Sequence, residues 1–194
     1  ARFTIQSIVK PILLLLALMD NGEEYVRSRV GVESTGKPFD AINVTDQTLL
    51  SDHLNPMVNM GAILMCTLIH GETYQEKFER LLELTRKLAD NPDIVVDEAV
   101  YQSEKATGSK NRALAYLLKT YGMIEGDVEE VLDCYFRACS IQRAAVDTVF
   151  HQAHGYPTCD TAGIDNRADY ISEVAVAAAG IVTNGNRTGA VHGI

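Results

Sequence analysis

The sequence predicts a helix-rich α+β fold, and three observations predict it. Apolar residues recur at helical spacing through the first two thirds of the chain. Gly, Asn and Pro break that pattern into segments, and the last stretch turns to short alternating runs around Asn184-Gly185. With 194 residues, 46% apolar and 22% charged, the chain has ordinary globular composition and material for one real core or two small ones.

The elements follow in order. Residues 8–18 read as a strongly apolar helix, and the Asn21-Gly22 break separates it from a short helix over 23–29. Residues 31–56, with Gly31, Gly36, Pro38 and Asn55-Pro56, read as an irregular region longer than connections usually are, which suggests a functional loop. Helices follow over 62–69 and 75–89. The second places Phe78, Leu81, Leu82 and Leu88 on one face, and Asn91-Pro92 stops it. Residues 97–104 and 111–121 read as helices parted by Thr107-Gly108, and 127–150 as a long helix whose acidic start suits the helix dipole. Residues 151–162 carry Gly, Pro, His and Cys and read as a linker. Residues 163–194 read as a small apolar helix followed by a β-hairpin, packed on the same single domain as the helical part over 1–150.

Charge and composition exclude several functions. Against 17 basic residues stand 26 acidic ones, a net charge of −9, which argues against a nucleic-acid backbone or an anionic membrane surface as partner. The apolar run over 11–19 is about half of what a spanning helix requires, and the acidic residues after it, without a small-residue cleavage site, do not suit a signal peptide. Four cysteines (Cys66, Cys134, Cys139, Cys159) form no C-x-x-C pair. Cys66 and Cys134 lie in apolar surroundings and read as buried thiols of a reducing compartment, so no disulfide framework is expected. A cytoplasmic location follows, with a mitochondrial parent equally compatible. His151-x-x-His154, with Cys159 and Asp160 nearby, has zinc-ligand residue types, but Gly155 and Pro157 spoil the geometry and no metal is expected.

The strongest chemical candidate is Ser7-Ile8-Val9-Lys10 at the start of the apolar helix. A spacing of three stacks the two side chains on one helical face. A buried lysine with a lowered pKa then takes the serine proton, and the free N–H groups of a helix start bind an oxyanion. Pro11 is tolerated only where the helix has barely begun, which places Ser7 near the cap. On its own the bare motif reads first as a capping serine with a surface lysine, and Ser34 to Lys37 repeats the spacing inside a Gly-Pro turn.

Longer strings carry a resemblance. Phe3-Thr4-Ile5-Gln6-Ser7-Ile8-Val9-Lys10-Pro11 closely resembles the nucleophile segment of the serine-dependent glutaminases. Val32-Glu33-Ser34-Thr35-Gly36-Lys37-Pro38-Phe39 looks like their E-P-S-G-x-x-F loop, and Asn55-Pro56-Met57-Val58-Asn59-Met60-Gly61-Ala62-Ile63 like their N-P-M-V-N-A-G-A-I. Tyr101-Gln102-Ser103-Glu104 with Asn111-Arg112-Ala113 is similar to the Q-S-E…R-N-x-A segment. Leu132-Asp133-Cys134-Tyr135-Phe136 with Cys139-Ser140-Ile141 is similar to L-D-x-Y-F…C-S-I. The five strings stand in the family's order.

The resemblance implies a β-lactamase/transpeptidase-like fold and hydrolysis of L-glutamine to L-glutamate and ammonia, with no cofactor. It implies Ser7 as nucleophile, Lys10 as its proton acceptor and Tyr135 at the reacting centre. By the same resemblance Asn59, Glu104, Asn111 and Tyr170 touch the substrate. A carboxylate suits the substrate ammonium, and amides suit its other donors and acceptors. Singly, Glu104 reads as a solvated helix charge, Asn59 as a turn residue and Tyr135 as core. The family also implies homo-oligomers, some activated by phosphate through the loop near 31–42.

After Phe150 the order departs from the family's. No Gly-rich turn or K-S-G-like strand follows, and that strand's side of the site supplies another tyrosine and a second oxyanion donor. Instead Arg167-Ala168-Asp169-Tyr170-Ile171 and Gly180-Ile181-Val182-Thr183-Asn184-Gly185-Asn186-Arg187 resemble segments that precede the nucleophile. The expectation is a circularly permuted, shortened glutaminase with a reduced sheet, the C-terminal hairpin, and with its termini close together. Two rivals stand beside it: a glutaminase-derived scaffold that binds an amino acid or is inert for want of that strand, and another serine hydrolase of the β-lactamase group.

Overall fold

The helical periodicity is realised, in a computed structural model of the chain, as seven α-helices among the described residues, which are 2–31, 38–40 and 54–144. All of these fall in one unit, Ala1–Asp160. A strand β1 (Arg2–Thr4) leads through a 3₁₀ turn (Gln6–Ile8) into α1 (Val9–Asn21) and α2 (Glu23–Arg29). Next come α3 (Asn59–Leu68), α4 (Tyr74–Leu88), β2 (Val95–Val96), α5 (Glu98–Thr107), α6 (Ser109–Thr120), α7 (Val128–Cys139) and β3 (Ile141–Ala144).

Most boundaries lie within three residues of those the sequence predicts. The break at Gly22, whose φ is +79°, parts α1 from α2 as expected. Thr73 caps α4, its hydroxyl accepting the Glu76 N–H while the Glu76 carboxylate accepts the Glu72 N–H. Asp97 and Asp127 cap α5 and α7 in the same way. Of the apolar face expected on α4, Phe78 and Leu81 are fully buried and Leu82 and Leu88 partly so.

One prediction fails. The helix expected over 127–150 ends at Cys139, and residues 141–144 are strand. The Ser140 N–H bonds the Phe136 and Arg137 carbonyls and its hydroxyl also takes the Phe136 carbonyl, closing the last turn. β-Branched Ile141 then enters a sheet of order β1-β3-β2, fully antiparallel, in which Gln142 faces both Thr4 and Val95. The ladder continues past both edges, with Ile5 N–H to the Ile141 carbonyl and Asp97 N–H to the Ser140 carbonyl. The sheet of the described residues thus lies inside the part read as helical. The C-terminal hairpin and the 151–162 linker lie outside the described residues.

The core centres on α3, apolar on every face from Met60 to Cys66 and fully enclosed, as a helix without a polar side must be. Helices α1, α6 and α7 pack around it, and α4 closes on α7. Cys66, Cys134 and Cys139 are buried free thiols, as expected for the first two. The C-terminus of α1 is clasped to α4, where Arg80 grips both carboxylate oxygens of Asp20 at 2.5 Å and the His70 N–H reaches the same group at 2.7 Å. No helix of the described residues is long and apolar enough to cross a membrane.

Candidate active site

The chain turns sharply where β1 meets α1. Gln6 holds a left-handed φ of +47°, a conformation costly for a residue with a side chain and the kind found where a functional group is being aimed. Ser7 follows on the 3₁₀ turn, exposed to solvent. Lys10 follows in the first turn of α1 and is buried, 2% exposed, which rules out the surface-lysine reading. Pro11 sits one residue further on, still in the first turn, where its missing N–H costs no hydrogen bond.

A buried amine must be satisfied. The Lys10 Nζ donates to Asn59 Oδ1 at 2.8 Å, and Asn59 Nδ2 donates in turn to Asn111 Oδ1 at 3.0 Å. An ammonium or amine only donates here, so it fixes the orientation of both amides in succession and leaves the NH₂ of Asn111 outside the chain of bonds. Asn59 is the first residue of α3 and is set by the turn before it. There the Asn55 side chain accepts the Met57 N–H at 2.7 Å and its carbonyl accepts the Val58 N–H at 3.2 Å. Gly61 is required beneath this turn, since a Cβ there would stand 2.1 Å from the Asn55 carbonyl oxygen. The Asn59 N–H reaches the Phe39 carbonyl at 2.9 Å, and the Phe39 ring centroid lies 5.6 Å from the Lys10 Nζ.

A second group adjoins the first from α7 and α5. Tyr135 is 2% exposed, one helical turn before the buried Cys139. Burial, helped by the neighbouring Cys139 and Glu104, keeps that hydroxyl protonated well above the ordinary phenol range. Burial likewise pushes the Cys139 thiol to about 12; Tyr135 and the Lys10 charge pull it down while Glu104 pushes it up. Cys139 therefore lies within reach of the charges of both Lys10 and Glu104 as a neutral thiol.

Of the residues singled out in the sequence, Lys10, Asn59 and Asn111 join in one hydrogen-bonded chain, while Tyr135 and Glu104 are tied to it through Cys139, which they and Lys10 all influence. Asn59 is hydrogen-bonded at both ends, to Lys10 through Oδ1 and to Asn111 through Nδ2, and one N–H of its amide is left over. Among the described residues the Ser7 hydroxyl has no hydrogen-bond partner, Lys10 included; catalytic pairs commonly tighten only with substrate in place. Tyr170, the His151/His154 cluster and the expected meeting of the termini lie outside the described residues. Sequence reasoning passed over Phe39 and Cys139, which appeared only as letters of longer motifs. No periodicity marks a residue that matters by facing Lys10 from a distant segment.

A family model described as Glutaminase matches residues 1–154. The chain belongs to the glutaminase family. Glutaminase 2 of Clostridium perfringens is 53% identical over 146 residues, which make up 75% of this chain and 48% of that protein. A glutaminase of Clostridioides difficile is 52% identical over 75% of this chain and 47% of its own length. The chain thus spans about half the length of these curated relatives. The crystal structure of a Bacillus subtilis probable glutaminase superposes with a TM-score of 0.71 at 37% identity, over 76% of this chain and 47% of that one. Another structure is the covalent complex of a Bacillus subtilis glutaminase with 5-oxo-L-norleucine, formed by reaction with 6-diazo-5-oxo-L-norleucine. It matches with a TM-score of 0.63 at 34% identity, over 76% of this chain and 44% of that one. The family implied by the five motifs and the helix-rich α+β fold read from the apolar periodicity are both borne out.

Proposed function

We propose that the chain hydrolyses L-glutamine to L-glutamate and ammonia through an acyl-enzyme on Ser7. The observation that carries the reading is the buried Lys10 amine, one helical turn after an exposed serine and held by Asn59. A neutral amine donates one N–H to Asn59 Oδ1 and keeps its lone pair for the Ser7 proton. Ser7 Oγ attacks the side-chain amide carbon, Lys10 accepts the hydroxyl proton and returns it to the departing nitrogen, and ammonia leaves. Water then cleaves the ester by the reverse proton path. Because the 3₁₀ turn already uses the Ile8 and Val9 N–H groups, the scheme assigns the developing negative charge on the carbonyl oxygen to the Ser7 backbone N–H. Tyr135, held neutral, acts as a hydrogen-bond donor at pH 7 and not as a base.

At the other end of the substrate, the Glu104 carboxylate pairs with the α-ammonium, and the spare NH₂ of Asn111 bonds the α-carboxylate. Tyr170 adds a further contact. No cofactor enters this scheme, and the setting is cytoplasmic. The covalent reaction of 6-diazo-5-oxo-L-norleucine, a diazoketone of glutamine's length, with a family member supports glutamine as the substrate class. Ammonia release from L-glutamine, lost in Ser7→Ala at unchanged melting temperature, is the expected result. A folded chain that releases none contradicts the reading.

A further inference from the structure

Phe39 is an exposed aromatic, 54% accessible, in a setting where such a ring has no folding reason to stay. Its ring lies over the Lys10 Nζ at 5.6 Å, and its carbonyl accepts the N–H of Asn59, the residue that holds Lys10. The next residue, Asp40, pairs with Lys110 on α6 at 2.6 Å, and Lys110 is the neighbour of Asn111, the last member of the Lys10–Asn59–Asn111 chain. The short segment around Phe39 is therefore tied at two points to the elements that carry the amine's partners. One face of its ring meets the amine while the residue as a whole meets solvent.

We propose that Phe39 is a positioning residue that covers the Lys10 amine and keeps bulk water from it, with the Asp40–Lys110 ion pair holding the ring in place. The inference rests on the reading of Lys10 as proton acceptor for Ser7, because a general base works best dry and in one orientation.

The ring acts on the amine in two opposing ways. Its π face favours the ammonium, and its bulk, by excluding water, favours the neutral amine. A separation of 5.6 Å is close to the outer limit of about 6 Å for the first effect, which is therefore weak here. Water exclusion around a residue that is 2% exposed dominates. Among the described residues, the other groups near Lys10 do not reverse this. Asn59 is neutral, Cys139 and Tyr135 on α7 hold their protons through neutral pH, and Asp40 is neutralised by Lys110. The charge of Glu104 on α5 is the same in every variant.

The test reads the amine itself. In the full chain labelled with ¹³Cε-lysine, the Lys10 resonance, assigned through Lys10→Arg, is titrated in wild type, Phe39→Ala, Phe39→Leu and Asp40→Asn. Phe39→Ala is expected to raise the Lys10 midpoint by about half a pH unit or more. Phe39→Leu keeps the cover without the π face and leaves the midpoint at or slightly below wild type. Asp40→Asn loosens the ring but leaves the Lys110 charge unbalanced, which pulls the midpoint down, so its net rise stays below that of Phe39→Ala. An unchanged or lowered midpoint in Phe39→Ala, with the fold intact by circular dichroism, overturns the proposal. So does a rise in Phe39→Leu equal to that in Phe39→Ala. The readout needs no turnover, so a chain that fails to hydrolyse glutamine yet shows these shifts refutes the activity and leaves the role of Phe39 standing.

Discussion

Gly61→Ala sets the local rule for helices against the packing of the site. In an ordinary helix interior the substitution stabilises, by about 0.8–1 kcal/mol, because alanine loses less backbone freedom on folding. Here the added Cβ would stand 2.1 Å from the Asn55 carbonyl oxygen, 2.7 Å from its carbon and 3.0 Å from the Pro56 Cα. All three are backbone atoms with no rotamer to yield, so the start of α3 or the Asn55-Pro56 turn has to move by about 1 Å. Overpacking of this kind costs about 1–3 kcal/mol, and a rigid backbone obstacle belongs at the upper end. Less the propensity gain, the net loss is about 2 kcal/mol, or a fall in melting temperature of about 4–8 °C for a chain of this size. The same displacement moves Asn59, two residues away, and with it the Lys10 amine, and a misplacement of about 1 Å near the chemistry can cost about 10²-fold in rate. Thermal unfolding and ammonia release measured on one preparation check both numbers. A melting temperature equal to or above wild type refutes the reasoning.

Other perturbations separate stability from chemistry. Lys10→Met removes the donor of a buried hydrogen bond and leaves Asn59 Oδ1 unmatched, so it should lower stability by about 1–3 kcal/mol while abolishing ammonia release, read by calorimetry and a coupled assay. Tyr135→Phe should lower activity by up to about 10²-fold without changing the shape of its pH profile between pH 6 and 9, because the hydroxyl stays protonated throughout; loss of a basic limb there would show that Tyr135 titrates. Burial works against ionisation of Asp20, but the Arg80 and His70 hydrogen bonds and the Arg80 charge outweigh it and hold the carboxyl below its ordinary 3.8. A depressed folded value means stability that is present above about pH 4 and lost as pH falls through the folded value. Asp20→Asn should therefore cost about 1–2 kcal/mol at neutral pH, with Arg80 partly exposed, and the gap from wild type should close on acidification, as denaturant melts at pH 7 and pH 3 would show.

What the sequence made legible was local. Helix caps at Thr73, Asp97 and Asp127, the break at Gly22 and the stop at Asn91-Pro92 depend on residues within a turn of one another, and they lie where the pattern places them. The strands were not legible, since β1 has three residues and β2 two, too few for any period, and β3 is made strand by its partners Thr4 and Val95 from far along the chain. The site divides in the same way. Ser7 and Lys10 are visible as a spacing, and Asn59, Glu104, Asn111 and Tyr135 through the family's motifs. The Lys10–Asn59–Asn111 chain joins three helices, and its bonds are decided by packing. The enclosure of Lys10, which the proton-acceptor reading required, could not be decided from the sequence, because a lysine in the first turn of a helix is ordinarily solvated and only the fold shows it buried beside α3 and Phe39.

The central claim is that Ser7 is a nucleophile activated by a buried Lys10. Incubation of the full chain with 6-diazo-5-oxo-L-norleucine, followed by peptide mass mapping, tests it at the atom concerned. The account predicts one covalent adduct, on Ser7, formed by wild type, absent in Ser7→Ala and strongly slowed in Lys10→Met. An adduct on another residue, or equal labelling of wild type and Lys10→Met, contradicts it.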